Sequence, residues 1–153
     1  MKITDILTPE MVLPELKGNT KPDVLNELAH FLAGKHREID PGALAGALAE
    51  RERLGSTAIG DGIAIPHGKL GGISNIIGVF GRHRRGVDFD SLDGGPTFLF
   101  FLLVAPEDSA SLHLKALARV SRLMKDPAFR ERLSSAPDAD EIFRLIKEED
   151  ARH

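Results

Sequence analysis

The chain contains no cysteine. Without thiols there is no disulfide framework, no thiolate zinc site and no catalytic or phosphorylated cysteine, so histidine and the oxygens must carry any chemistry. An excess of basic charge is missing too: 20 Lys and Arg stand against 23 Asp and Glu, for a formal net charge of −3. That is the wrong sign for neutralising a nucleic-acid backbone, and nucleic acid is not an expected partner. Long apolar runs are equally lacking. The longest, Thr97 to Ala105, is too short to span a bilayer as a helix, and Met1 to Ile6 holds no basic segment leading into an apolar one. The expectation is a cytoplasmic protein with no direct membrane insertion.

What is present is a globular composition, with 42% hydrophobic and 28% charged residues in a chain of 153, enough for one core. No Ser/Pro/Gly-rich linker or long-period repeat divides it, so residues 1–153 read as a single domain. Thr20 with Asp23 opens a helix whose stripe is Val24, Leu25, Leu28, Phe31 and Leu32, with Gly34 as its C-cap. Asp40 and Pro41 start a second, carrying Leu44, Ala47 and Leu48 and stopping before Gly55. Strand-like stretches follow at Ile63–Ile65, Ile73–Phe80 and Thr97–Val104, the last apolar on both faces as a central strand requires. Met11 to Leu16 could add an edge strand, demoted by Pro14. Three helices come after Pro106: Ser111 to Lys125, a short one opened by Asp126 and Pro127, and Asp138 to Glu149. Helices at both ends around central strands predict an α/β three-layer sandwich.

Several familiar motifs are missing. There is no G-x-x-x-x-G-K-[S/T], no G-x-G-x-x-G, no H-E-x-x-H and no G-x-S-x-G, and Asp88, Asp90 and Asp93 lack calcium-loop spacing. His83 lies in Gly81-Arg82-His83-Arg84-Arg85-Gly86, which reads as a solvated basic turn between strands or as a docking patch for an acidic partner. His67 has richer surroundings. The small-residue loop Gly55 to Gly62 leads into Ile63-Ala64-Ile65-Pro66-His67-Gly68, and proline keeps Ile65 extended, so that His67 projects from a strand's carboxyl end. Ligands collect at that edge of α/β sheets, and Gly68 clears space beside the imidazole. A capped core histidine remains an equal reading. His113 shares the buried stripe of Ala116, Leu117, Val120 and Met124 in a first helical turn, where free amides favour an anion. Arg51 falls on the core-facing stripe of the second helix, just ahead of the Gly55 loop. Snorkelling explains it, but two imidazoles and a guanidinium converging at a loop edge suit phosphoryl transfer.

Glu52, Ile59 and Gly60, followed by Ile63-Ala64-Ile65-Pro66-His67-Gly68, resemble the phosphohistidine signature of the mannitol/fructose-type enzyme IIA family of the bacterial phosphoenolpyruvate-dependent phosphotransferase system. The run Gly55 to Leu70 is most similar to its nitrogen-related (PtsN) branch, and Asp88-Phe89-Asp90, Leu92-Asp93, Pro96, Leu102-Leu103-Val104, His113-Leu114 and Leu117 extend the resemblance over nearly the whole chain. Ala58, where relatives often have Gly, and the basic turn depart from the pattern. The resemblance implies a mixed central sheet between helices, His67 as phosphoryl acceptor at Nε2, and His113 and Arg51 as active-site partners. Ser56, Thr57 and Gly68 are candidate phosphate-binding residues of the glycine-rich loop, with no metal and no cofactor. The implied donor is the phosphohistidine of an HPr- or NPr-like carrier.

Two functions follow. One is a regulatory phosphocarrier whose phosphorylation state selects the proteins it binds; the other is a relay passing phosphate to a sugar-specific EIIB of a fructose/mannitol-type permease. The absence of cysteine excludes a fused phosphocysteine domain and favours regulation. A metal-assisted hydrolase using His67, His113 and an Asp is the third reading.

Overall fold

The computed structural model describes residues 1–153. Five helices and six strands form it. Short 3₁₀ turns at Ile3–Asp5 and Pro9–Met11 lead into β1 (Val12–Leu13), and two helices follow, α1 (Lys21–Lys35) and α2 (Pro41–Arg53). The strands β2 (Ala58–Gly60), β3 (Ile63–Ala64), β4 (His67–Leu70), β5 (Ile77–Val87) and β6 (Thr97–Pro106) come next, and α3 (Ala110–Leu123), α4 (Pro127–Ser135) and α5 (Ala139–Ala151) close the chain. The helix starts have clear causes. Thr20, Asp40, Asp126 and Asp138 each accept a hydrogen bond from a first-turn amide, with Pro41 and Pro127 placed where no amide is needed.

The sheet is mixed, in the order β1-β5-β6-β3-β2, with β4 also pairing with β6. β5 runs antiparallel to β6, whereas β3 and β4 lie parallel to it, one after the other along the same side. Helices α1 and α2 cover one face, and α3, α4 and α5 the other. The expected α/β sandwich with a mixed sheet is therefore observed. β6 is its centre: Phe100 to Ala105 are fully buried, and Phe80 on Phe101 and Phe89 on Phe100 pack edge to face at 6.2 and 5.2 Å between centroids. Forty buried apolar residues form one continuous core.

Four local expectations are corrected. Helix α1 runs through Gly34 to Lys35, so Gly34 is an interior residue and His36 the cap. The strand expected at Ile73 begins only at Ile77, because the turn from Gly71, with Gly72 at φ +85°, continues through Ser74 and Asn75. The chain does not turn away at His67. Pro66 interrupts the ladder between β3 and β4, its carbonyl still accepts from the Leu103 amide at 3.0 Å, and pairing resumes with His67 opposite Leu103.

The fourth correction concerns the basic stretch. Gly81 to Gly86 lies within β5 and not in a solvated turn. Arg84 and Arg85 face solvent, but Arg82 is 2% exposed: Nε donates to Pro14 O at 3.1 Å, and Nη1 donates to Leu133 O at 2.8 Å and Ala136 O at 2.7 Å. Its neighbour His83 is buried too, and its Nδ1 accepts from the Gly86 amide at 3.0 Å. One guanidinium thus joins the β1 edge to the end of α4. Arg82→Met leaves three carbonyls without their charged donor, and we expect a loss of ~2–4 kcal/mol in urea unfolding, against less than ~0.5 kcal/mol for Arg85→Met on the surface.

Candidate active site

The interrupted strand sets the geometry of the site. Gly68 turns toward α2, where a Cβ would meet Leu48 and Ala47 at 3.6–3.7 Å. By alternation His67 and Lys69 turn to the other face, toward α3. The two helices and the free edge of β4 enclose a cleft of about 610 Å³, lined by Arg51 and Leu54 from the end of α2, His67 to Lys69 from β4, and His113 and Leu114 from α3 among others. His67, His113, Arg51 and Gly68 thus line one cavity.

The protonation of His67 follows from its neighbours. Its Nδ1 is 2.8 Å from the carbonyl of Ile65, which can only accept, so Nδ1 carries the hydrogen. On the other side Arg51 Nε, which can only donate, lies 3.2 Å from His67 Nε2. Both contacts require the same neutral tautomer, with its lone pair on Nε2. The Arg51 side chain is tethered in turn by Nη1, which donates to Gly55 O at 2.9 Å. The His113 ring stands nearly perpendicular to that of His67, at 5.3 Å between centroids and 83°. It is buried, and its Nε2 finds no hydrogen-bond partner in the chain.

Electrostatics keep both rings uncharged. Burial pushes His67 below its ordinary value, against the Ile65 carbonyl, and the Arg51 charge adds to the depression. His113 is lowered by burial first, then by His67 and Lys69. Each is a nucleophile or hydrogen-bond partner rather than a cation near neutrality.

Ser56 and Thr57 are placed differently from the sequence expectation. Neither lines the cleft: Ser56 Oγ donates to Phe89 O at 2.7 Å, and the Thr57 hydroxyl donates to the Glu52 carboxylate. Conversely, sequence reasoning missed Lys69, Glu50, Leu54 and Leu114. The spacing of two after His67 on a strand is the signal for Lys69; Leu54 and Leu114, 82% and 67% exposed, carry no signal that separates them from core leucines. No group of three or more His, Asp or Glu residues is arranged to hold a metal ion, so the hydrolase reading lacks its ligand set. No helix is long and apolar enough to cross a membrane.

The site therefore holds an uncharged imidazole whose Nε2 lone pair faces the cleft and accepts from Arg51, beside a second neutral imidazole. Comparison with known proteins gives the class: the chain belongs to the family described as the phosphoenolpyruvate-dependent sugar phosphotransferase system, EIIA 2, matched over residues 5–149. It is 45% identical over 149 residues to a nitrogen regulatory protein of Bradyrhizobium diazoefficiens, with 95% of each chain covered. It is 37% identical to the fructose-specific EIIABC component of Bacillus subtilis, covering 98% of this chain and 24% of that protein. The crystal structure of nitrogen regulatory protein IIA-Ntr from Neisseria meningitidis superposes with a TM-score of 0.87 at 30% identity, over 94% of this chain and 98% of that one.

The depressed basicities set a pH dependence. Below the ordinary histidine value of 6.5 the unfolded chain takes up protons that folded His67 and His113 refuse, so acid favours unfolding and stability is highest above that value. We expect the urea midpoint to fall between about pH 7 and about pH 5.5, and to fall less in His113→Gln.

Proposed function

We propose that residues 1–153 act as a single EIIA domain whose His67 Nε2 accepts a phosphoryl group from the phosphohistidine of an HPr- or NPr-like carrier. The observation that carries the reading is the pair of contacts at His67: Nδ1 is held as donor by the Ile65 carbonyl, which leaves the Nε2 lone pair in the cleft beside Arg51. As the phosphoryl group enters, Arg51 Nε–H passes from the Nε2 lone pair to a phosphoryl oxygen, and Nε2 attacks phosphorus in line with the leaving imidazole nitrogen, forming one N–P bond as the other breaks. The charge on the three equatorial oxygens falls to Arg51 and His113. The buried Nε2 of His113 gains a phosphoryl oxygen as its missing partner. No nucleotide or metal enters the step.

The product is best read as a signal. The nitrogen regulatory likeness at 45% identity supports a phosphorylation state that selects which cytoplasmic proteins bind. A second reading, supply of phosphate to a fructose-type EIIB, rests on the 37% likeness to the fructose-specific component. Recovery of label on a sugar-specific component separates the two.

With phosphoenolpyruvate, enzyme I and an HPr-type carrier, the chain gains the mass of one acid-labile phosphoryl group. His67→Ala gains none. Arg51→Ala and His113→Ala each slow the transfer by about 10²–10³-fold, read as single-turnover labelling. Phosphorus NMR of the product assigns Nε2, and full labelling of the His67 variant refutes the proposal.

A further inference from the structure

One buried ionisable group beside the cleft takes no part in the mechanism above. Glu52 follows Arg51 on α2, its side chain is 5% exposed, and it touches none of the reacting atoms. Its carboxylate is held by three donors: Lys21 Nζ at 3.0 Å, the Thr57 amide at 3.0 Å and the Thr57 hydroxyl. Lys21 belongs to the first turn of α1, and its ammonium also lies 4.8 Å from the Phe89 ring centroid and 3.5 Å from Asp90. Ser56 completes the fastening by donating to Phe89 O at 2.7 Å and accepting from the Ala58 amide at 3.1 Å.

The Glu52, Thr57 and Ser56 contacts act on the turn between α2 and β2, whose exposed Gly55 has φ +148° and no neighbour within 4 Å of where a Cβ would sit. The Gly55 amide donates to Glu52 O at 3.1 Å and closes the last turn of α2, while the Ser56 and Thr57 contacts fix the far side, so the Gly55 carbonyl is placed from both ends of the turn. That carbonyl receives Arg51 Nη1 at 2.9 Å. In a planar guanidinium a second fixed bond sets the orientation of the whole group, and here it presents the Nε edge to His67 Nε2 at 3.2 Å.

We propose that Glu52 is a positioning residue for phosphoryl transfer: by clamping Thr57 it holds the Gly55 carbonyl that keeps the Arg51 guanidinium beside His67, within reach of an incoming phosphoryl oxygen. The inference rests on the acceptor reading of His67 and assigns Ser56 and Thr57 to the support of Arg51 in place of phosphate contact. The positioning effect runs through Arg51 and matters only while Arg51 is present; the Glu52 charge also raises the basicity of His67 directly, so the charge-neutral Thr57→Val isolates positioning.

The test compares single-turnover transfer from a phosphorylated HPr-type carrier to Glu52→Gln and Thr57→Val, each made with Arg51 intact and in Arg51→Ala. Thr57→Val removes one clamp bond without changing charge, and it keeps the test open should Glu52→Gln not fold. We expect each to slow transfer about tenfold with Arg51 present, and Thr57→Val to slow it less than about twofold in Arg51→Ala. The Arg51 Nε–H NMR resonance should also move in both variants of the unphosphorylated protein. Equal losses from Thr57→Val in the two backgrounds, or unchanged transfer in a folded single variant, overturn the inference. If the wild-type chain gains no phosphoryl group, the acceptor reading falls. The resonance then decides positioning alone: a shift in Thr57→Val supports it and an unmoved signal overturns it.

Discussion

The hydrogen bond from His67 Nδ1 to the carbonyl two residues earlier governs the chemistry of this chain. An imidazole has two nitrogens and one proton to place when neutral, and a carbonyl at 2.8 Å decides the matter. Everything else at the site depends on that choice. Arg51 approaches Nε2 because that nitrogen is an acceptor, and burial suppresses the cation that would have ended its nucleophilicity.

The bond forms where the sheet runs out of neighbours. Pro66 O takes the Leu103 amide of β6, whereas Ile65 faces the outer flank, its amide donating to Thr57 O at 3.0 Å, and its carbonyl there is taken by the imidazole instead of by another strand. On either side β3 and β4 remain aligned on β6, which is buried along almost its whole length and allows little movement. A rigid central strand therefore carries, at its free flank, a short segment with one side chain available for reaction. On that flank α2 brings a cation and α3 a second imidazole, each from a helix that also buries an apolar stripe.

Much of this was legible in the residues. Caps at Thr20, Asp40, Asp126 and Asp138 are local chemistry, and the doubly apolar run from Thr97 reads as a central strand without tertiary knowledge. Loop composition and helical phase singled out His67, His113 and Arg51 without deciding between core and function, and the family resemblance supplied their roles; the fold brings the three to one cleft. Failures occurred where distant backbone decides the outcome. Nothing within Gly81 to Gly86 announces that carbonyls of Pro14, Leu133 and Ala136 await Arg82, so a buried strand looked like a charged turn. Ser56 and Thr57 looked like anion ligands because small hydroxyl residues serve loops and phosphates alike; Phe89 and Glu52 settle which. The β4 strand was hidden by Pro66, a residue that ordinarily signals an ending.

The cleft has no cover. His67 is half-buried, and the leucines on either side of it, Leu54 and Leu114, stand out in water with nothing over them. On the proposed reading, an N–P bond formed there lies open to water once the donor departs, and its lifetime is set by hydrolysis until a partner closes over the leucines.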